Sequence, residues 1–120
     1  MKEDNVIREK STRFAIRIVE MYRYLSETKQ EYVMSKQLLR SGTSIGANVR
    51  EGIYAQSKSD FISKMNIALK EAAETEYWIE LLSKTEYITP KQYASINEDC
   101  REVVKLLITI TKSTKTEMSK

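Results

Sequence analysis

Apolar residues recur at helical spacing in four segments of this chain. In three of them the interval alternates between four and three residues, the period of helices packed in a bundle. The first segment, about residues 5–28, offers Ile7, Ser11, Phe14, Ile18, Met21 and Leu25 as its inward seam. The third, about residues 59–84, offers Phe61, Met65, Ala68, Ala72, Thr75, Ile79 and Leu82. The fourth, about residues 90–112, offers Tyr93, Ile96, Cys100, Val103, Leu107 and Ile110, with Val104 and Ile108 widening the stripe. Thr89-Pro90-Lys91-Gln92 marks its start: Thr89 can cap, Pro90 loses no helical bond at the first position, and Gln92 completes a capping box. Ser57-Lys58-Ser59-Asp60 is a weaker start of the same kind for the third segment.

The second segment, about residues 32–54, holds all three glycines, Gly42, Gly46 and Gly52, among Ser41, Thr43 and Ser44. Propensity alone reads Arg40-Ser41-Gly42-Thr43-Ser44 as a loop. Yet Met34, Leu38, Ser41, Ile45, Asn48 and Gly52 carry the same alternation straight through it. One continuous helix with a small-residue face is the preferred reading, in which Gly42 and Gly46 let a neighbouring helix approach closely. The predicted fold is therefore all-α, an up-down-up-down antiparallel four-helix bundle over residues 1–112, with a polar tail, 113–120, expected to fray.

Composition narrows the chemistry. The 120 residues contain one Pro, three Gly, one Cys and no His. Scarce Gly and Pro argue against a loop-rich or all-β fold. The missing His removes the commonest general base and metal ligand, and a lone Cys100 closes no intrachain disulfide. The opening MKEDNVIREK lacks the apolar stretch of a secretion signal, and no run approaches the roughly 20 apolar residues of a membrane span, so a cytoplasmic protein without membrane contact is expected. The net charge of +3 is uneven: residues 1–30 carry +2, 31–56 carry +1, 57–88 carry −2 and 89–120 carry +2.

Several constellations invite chemistry and most have a plainer structural reading. Ser41 to Gly46 looks like a phosphate cradle but lacks the Lys and the preceding strand that such a loop needs. Glu51, Glu71, Glu74 and Glu80 could line a bundle as in di-iron proteins, but those sites pair Glu with His. Cys100 lies on an apolar seam, where a thiol is inert. No catalytic residue, cofactor or metal is expected. Lys10, Arg13 and Arg17 share one side of the first helix, within roughly 60 degrees. A solvated face is the plain reading of this stripe, and a surface that tracks the phosphates of RNA or DNA is the alternative. Antiparallel packing of the second and third helices about a turn near residues 56–57 sets Arg40 opposite Glu74 and Ser41 near Thr75, fixing their register.

The run from Gln37 to Gly52, QLLRSGTSIGANVREG, followed by Asp60-Phe61 and by Glu71-Ala72-Ala73-Glu74-Thr75-Glu76-Tyr77-Trp78, resembles the four-helix-bundle proteins encoded in intervening sequences of bacterial 23S rRNA genes. The resemblance covers roughly residues 5–112. It implies that the glycine-bearing segment is helical, that Arg40, Ser41, Gly42, Gly46, Asn48, Glu74 and Thr75 form a folding and assembly motif, and that subunits form a ring-like homopentamer. The same superfamily includes the accessory variability protein of diversity-generating retroelements, a basic pentamer that binds nucleic acid and a reverse transcriptase. The sequence thus suggests a non-enzymatic oligomer that binds RNA or DNA through Lys10, Arg13 and Arg17, or alternatively a protein-interaction scaffold that binds no nucleic acid.

Overall fold

A computed structural model describes residues 2–119. Four helices follow one another: α1 (Lys2–Arg23), extended by a π-helical turn (Tyr24–Thr28), α2 (Met34–Ile53), α3 (Lys58–Lys84) and α4 (Pro90–Ser119). Contacts between neighbours run in opposite chain directions, Ile18 with Gly42 but Ser11 with Gly46, and Ser41 with Thr75 but Glu51 with Lys64, so the bundle is antiparallel. It is about 50 Å long and 21 by 20 Å across.

Its core follows the seams. Ile7, Phe14, Ile18 and Leu25 from the first element meet Leu38, Ile45 and Val49 of α2, Met65, Ala68, Ala72, Ile79 and Leu82 of α3, and Ile96, Cys100, Val103 and Leu107 of α4. Ile108 departs from expectation: it is 42% exposed, and Val104 alone widens the α4 stripe inward. Met21, Met34, Phe61 and Tyr93 are only half-buried, at the margins.

Helix ends show where the glycines were not spent. The Thr89 N–H donates to Gln92 Oε1 at 2.8 Å and the Gln92 N–H to Thr89 Oγ1 at 3.1 Å, a closed capping box. Ser57 Oγ accepts from the Asp60 N–H at the start of α3. At the far end of α3, the Tyr87 N–H reaches Leu82 O and the Glu86 N–H reaches Ser83 O, with Glu86 at φ 64°. That left-handed position usually takes glycine. Gln30, at φ 55°, fills the corresponding role after the π-helical turn. Non-glycine residues thus accept the unfavourable backbone in the turns, while every glycine lies in α2, where Gly42 and Gly52 meet a neighbouring helix too closely for a Cβ.

α4 runs past the end expected for the fourth segment near residue 112, and Lys120 lies outside the described residues. α4 continues to Ser119, because Thr111 and Thr114 extend its buried seam and Glu117 pairs with Lys58 at 3.3 Å. No described helix is long and apolar enough to cross a membrane.

Candidate functional site

Arg40 is the centre of a polar clasp across α2 and α3. Its guanidinium donates to Glu71 Oε2 at 3.0 Å and to Glu74 Oε2, and Glu74 Oε2 also accepts from the Trp78 indole N–H at 2.9 Å. The indole N–H, and then Arg40, hold the Glu74 carboxyl below the ordinary carboxylate range, while its bond to Glu74 raises the guanidinium in turn. The spacing of Glu71, Glu74 and Trp78, three and four residues apart, puts all three on one side of α3. Beneath the clasp, the buried Thr75 hydroxyl donates to Ser41 Oγ at 2.9 Å. The expected facing of Arg40 with Glu74 and Ser41 with Thr75 is therefore present, but Arg40 is about half-exposed, so the clasp is a surface pair over a buried hydrogen bond.

Gly42 and Gly46 serve a different neighbour. A Cβ on Gly42 would stand 2.7 Å from Ile18 Cγ1, and one on Gly46 would stand 3.6 Å from the Ser11 carbonyl oxygen. Both face α1. Gly52 faces α3, where a Cβ would meet Met65 Cε at 2.9 Å. The Asn48 amide donates to Ser44 O, one turn back on its own helix.

The basic stripe of α1 lies over α4. Lys10 Nζ sits 3.2 Å from Glu102 Oε1, and Arg17 Nη1 sits 2.6 Å from Asp99 Oδ2 while the same guanidinium also donates to Ser95 O and Oγ. Arg13 pairs with Glu9, one turn back on its own helix, at 3.3 Å. All three cations are thus matched to carboxylates. The chain itself supplies Lys10 and Arg17 with the anions that phosphates would otherwise provide. Sequence reasoning missed Asp99 and Glu102, because which side of α4 faces α1 is a tertiary fact.

The remaining candidates are similarly engaged. Glu51 pairs with Lys64 and Glu80 with Lys84, while Arg40 holds Glu71 and Glu74. Among the described residues no group of carboxylates, Cys or His is arranged to hold a metal. Burial, with the nearby Glu76 charge, pushes the Cys100 thiol up to about 12 against the opposing influence of Arg101, and its Sγ faces the Ala72 carbonyl. Such a thiol is not a nucleophile near neutral pH.

The family model of the 23S rRNA-intervening sequence protein matches residues 3–109. The chain belongs to that family. The match spans the α2 glycine face and the Arg40 clasp together, with most of all four helices. A solved crystal structure from Bacteroides thetaiotaomicron, of a protein with unknown function from the S23 ribosomal protein family, is 64% identical over 92% of this chain and 98% of that one, with a TM-score of 0.90. Among curated proteins none matches. For a 23S rRNA-intervening sequence protein, the features that stand out here are a packed bundle and charged clasps rather than a constellation of nucleophile, base and metal.

Proposed function

We propose that this 23S rRNA-intervening sequence protein is a non-enzymatic scaffold that assembles with copies of itself, and that Lys10 and Arg17 clasp α1 to α4 rather than grip a polyanion. The observation that carries this reading is the outer apolar surface. Ile16 is 56% exposed and Val19 half-buried on the side of α1 turned away from the seam. Ile108 on α4 and Ile67 on α3 are also exposed, at 42% and 39%. One subunit buries one stripe per helix, so a second apolar surface calls for another subunit to cover it. Apolar positions on different faces suit a heterologous contact, which closes into a ring when its rotation permits.

Light scattering on the intact chain tests the reading. About five subunit masses are expected for the ring that the family resemblance implies, and Ile16→Asp should lower the mass while leaving helix content unchanged. A monomer at micromolar concentration, with wild type and variant alike, would overturn it.

A further inference from the structure

A second group of cations lies where α1 meets α2, away from the Lys10–Arg17 clasp. Between α1 and α2 an open groove of about 270 Å3 is lined by Asn5, Arg8, Glu9, Thr12, Arg13 and Arg50. Three guanidiniums there face one carboxylate, and Glu9 is already paired with Arg13. Among the described residues, Arg8 and Arg50 have no carboxylate partner. The smaller groove beneath the stripe is different in kind, since Asp99 and Glu102 line it and pair with Arg17 and Lys10.

Arg50 is also held in place. Its Nη2 donates to Thr12 Oγ1 at 3.3 Å, and that hydroxyl donates to the Arg8 carbonyl oxygen at 2.8 Å, which steers the guanidinium over α1 toward the other two arginines. One turn beyond Arg50, Tyr54 ends α2 with its backbone N–H bonded to Arg50 O and its side chain 75% exposed. An exposed aromatic ring thus follows the groove's Arg50 by one turn.

We infer that this groove binds the phosphodiester backbone of an unpaired nucleic-acid strand, with Arg8 and Arg50 on the phosphates and Tyr54 stacking an adjacent base. Guanidiniums from two helices suit phosphate oxygens, and an aromatic face beside a cationic groove is how sequence-tolerant single-strand sites are built. A duplex fits poorly, because its bases are already stacked and withheld from Tyr54. The site shares no residue with the Lys10–Arg17 clasp.

Fluorescence anisotropy of labelled oligouridylate, with an RNA duplex of equal length beside it, tests the site at about 50 and 200 mM salt. Wild type should prefer the single strand. Arg8→Gln with Arg50→Gln should weaken binding on the order of tenfold and flatten the logarithmic salt slope by about 1.4, two contacts at about 0.7 each. Tyr54→Ala should weaken it about tenfold and Tyr54→Phe should not, since the ring face and not the hydroxyl is used. All these side chains are exposed, and unchanged helix content by circular dichroism confirms that the variants fold. Absence of binding at low salt, indifference to the Arg8 and Arg50 changes, equal duplex affinity or indifference to Tyr54→Ala would each overturn the inference. So would an equal loss of binding in a Lys10→Gln, Arg17→Gln variant, which would return the site to the stripe.

Discussion

α1 meets its two neighbours by different means. Toward α2 the backbones close on Gly42, with Ile18 filling the space a side chain would occupy. Toward α4 the helices stand apart around a groove of about 430 Å3 lined by Met21, Tyr24 and Ile96 among polar residues, and Arg17 bridges its rim to Asp99 and Ser95. Small residues set how near two helices come, whereas long charged side chains span a separation that other packing has already fixed. The α2 seam should therefore be stiff toward added volume. The α4 seam should tolerate change, and its ion pairs should contribute little.

The largest effect expected from that difference is at Gly42. Its missing Cβ would lie 2.7 and 2.8 Å from the two γ-carbons of Ile18, and a β-branched side chain in a helix has almost no other rotamer to adopt. Gly42→Ala should destabilise by about 1 to 3 kcal/mol and Gly42→Leu by more, although alanine favours the helix by about 1 kcal/mol. Gly46→Ala meets only an ordinary contact at 3.6 Å and should be neutral or stabilising by up to about 1 kcal/mol. Gly52→Ala should lie between, because the 2.9 Å contact is with the flexible end of Met65 while Lys64 Cβ, at 3.2 Å, has to give by only a few tenths of an ångström. Thermal melts that rank Gly46 as the more sensitive position would break the account of the α1–α2 seam.

The connection between α1 and α2 holds the next effect. Glu31 is buried, and its carboxylate accepts the N–H groups of Val33, Met34 and Ser35 at 3.1, 3.0 and 2.7 Å, capping α2 from within the loop. Burial pushes this carboxyl up, but the bonds from Ser35, Met34 and Val33 outweigh it and hold it below its ordinary value of 4.5. A depressed folded value means stability that is present above about pH 4.5 and is lost as pH falls through the folded pKa. Glu31→Gln should cost about 1 to 2 kcal/mol at neutral pH, and its acid limb in pH-dependent unfolding should be shallower than that of wild type. Equal acid limbs would assign the loss to other carboxylates, Glu74 first.

How much of this was legible in the sequence depends on how local each cause is. The alternating seam carried Gly42 and Gly46 correctly into a helix, since periodicity through Leu38, Ser41 and Ile45 outweighs the propensity of two glycines. The Thr89–Gln92 box and the Arg40–Glu74 facing follow from local chemistry and a single turn position. The stripe was legible as a stripe but not in its partners, because Asp99 and Glu102 come from a helix distant in sequence whose rotation the pattern leaves open. Glu31 was not legible, because its cap depends on Gln30 taking a left-handed backbone that no turn residue announces. α4 ends later than the pattern offers, because Thr111 and Thr114 are polar by composition and buried by position.

The smallest effect compares the two clasps directly. Arg40 and Glu74 are 48% and 34% exposed, and Arg17 and Asp99 are 35% and 43% exposed, so water screens both pairs and neither should reach the cost of a buried ion pair. Double-mutant cycles should return coupling below about 1 kcal/mol for each. Arg40–Glu74 should be the stronger, because Trp78 fixes the carboxylate and the adjacent Glu71, only 19% exposed, accepts a second bond from the same guanidinium. Raising salt toward 1 M, where the screening length falls to about 3 Å, should shrink the Arg17–Asp99 coupling first, since nothing comparable to the indole orients Asp99. Coupling at Arg17–Asp99 equal to or above that at Arg40–Glu74, and insensitive to salt, would mean that charge and not glycine sets the spacing of α1, and the contrast between its two seams would fail.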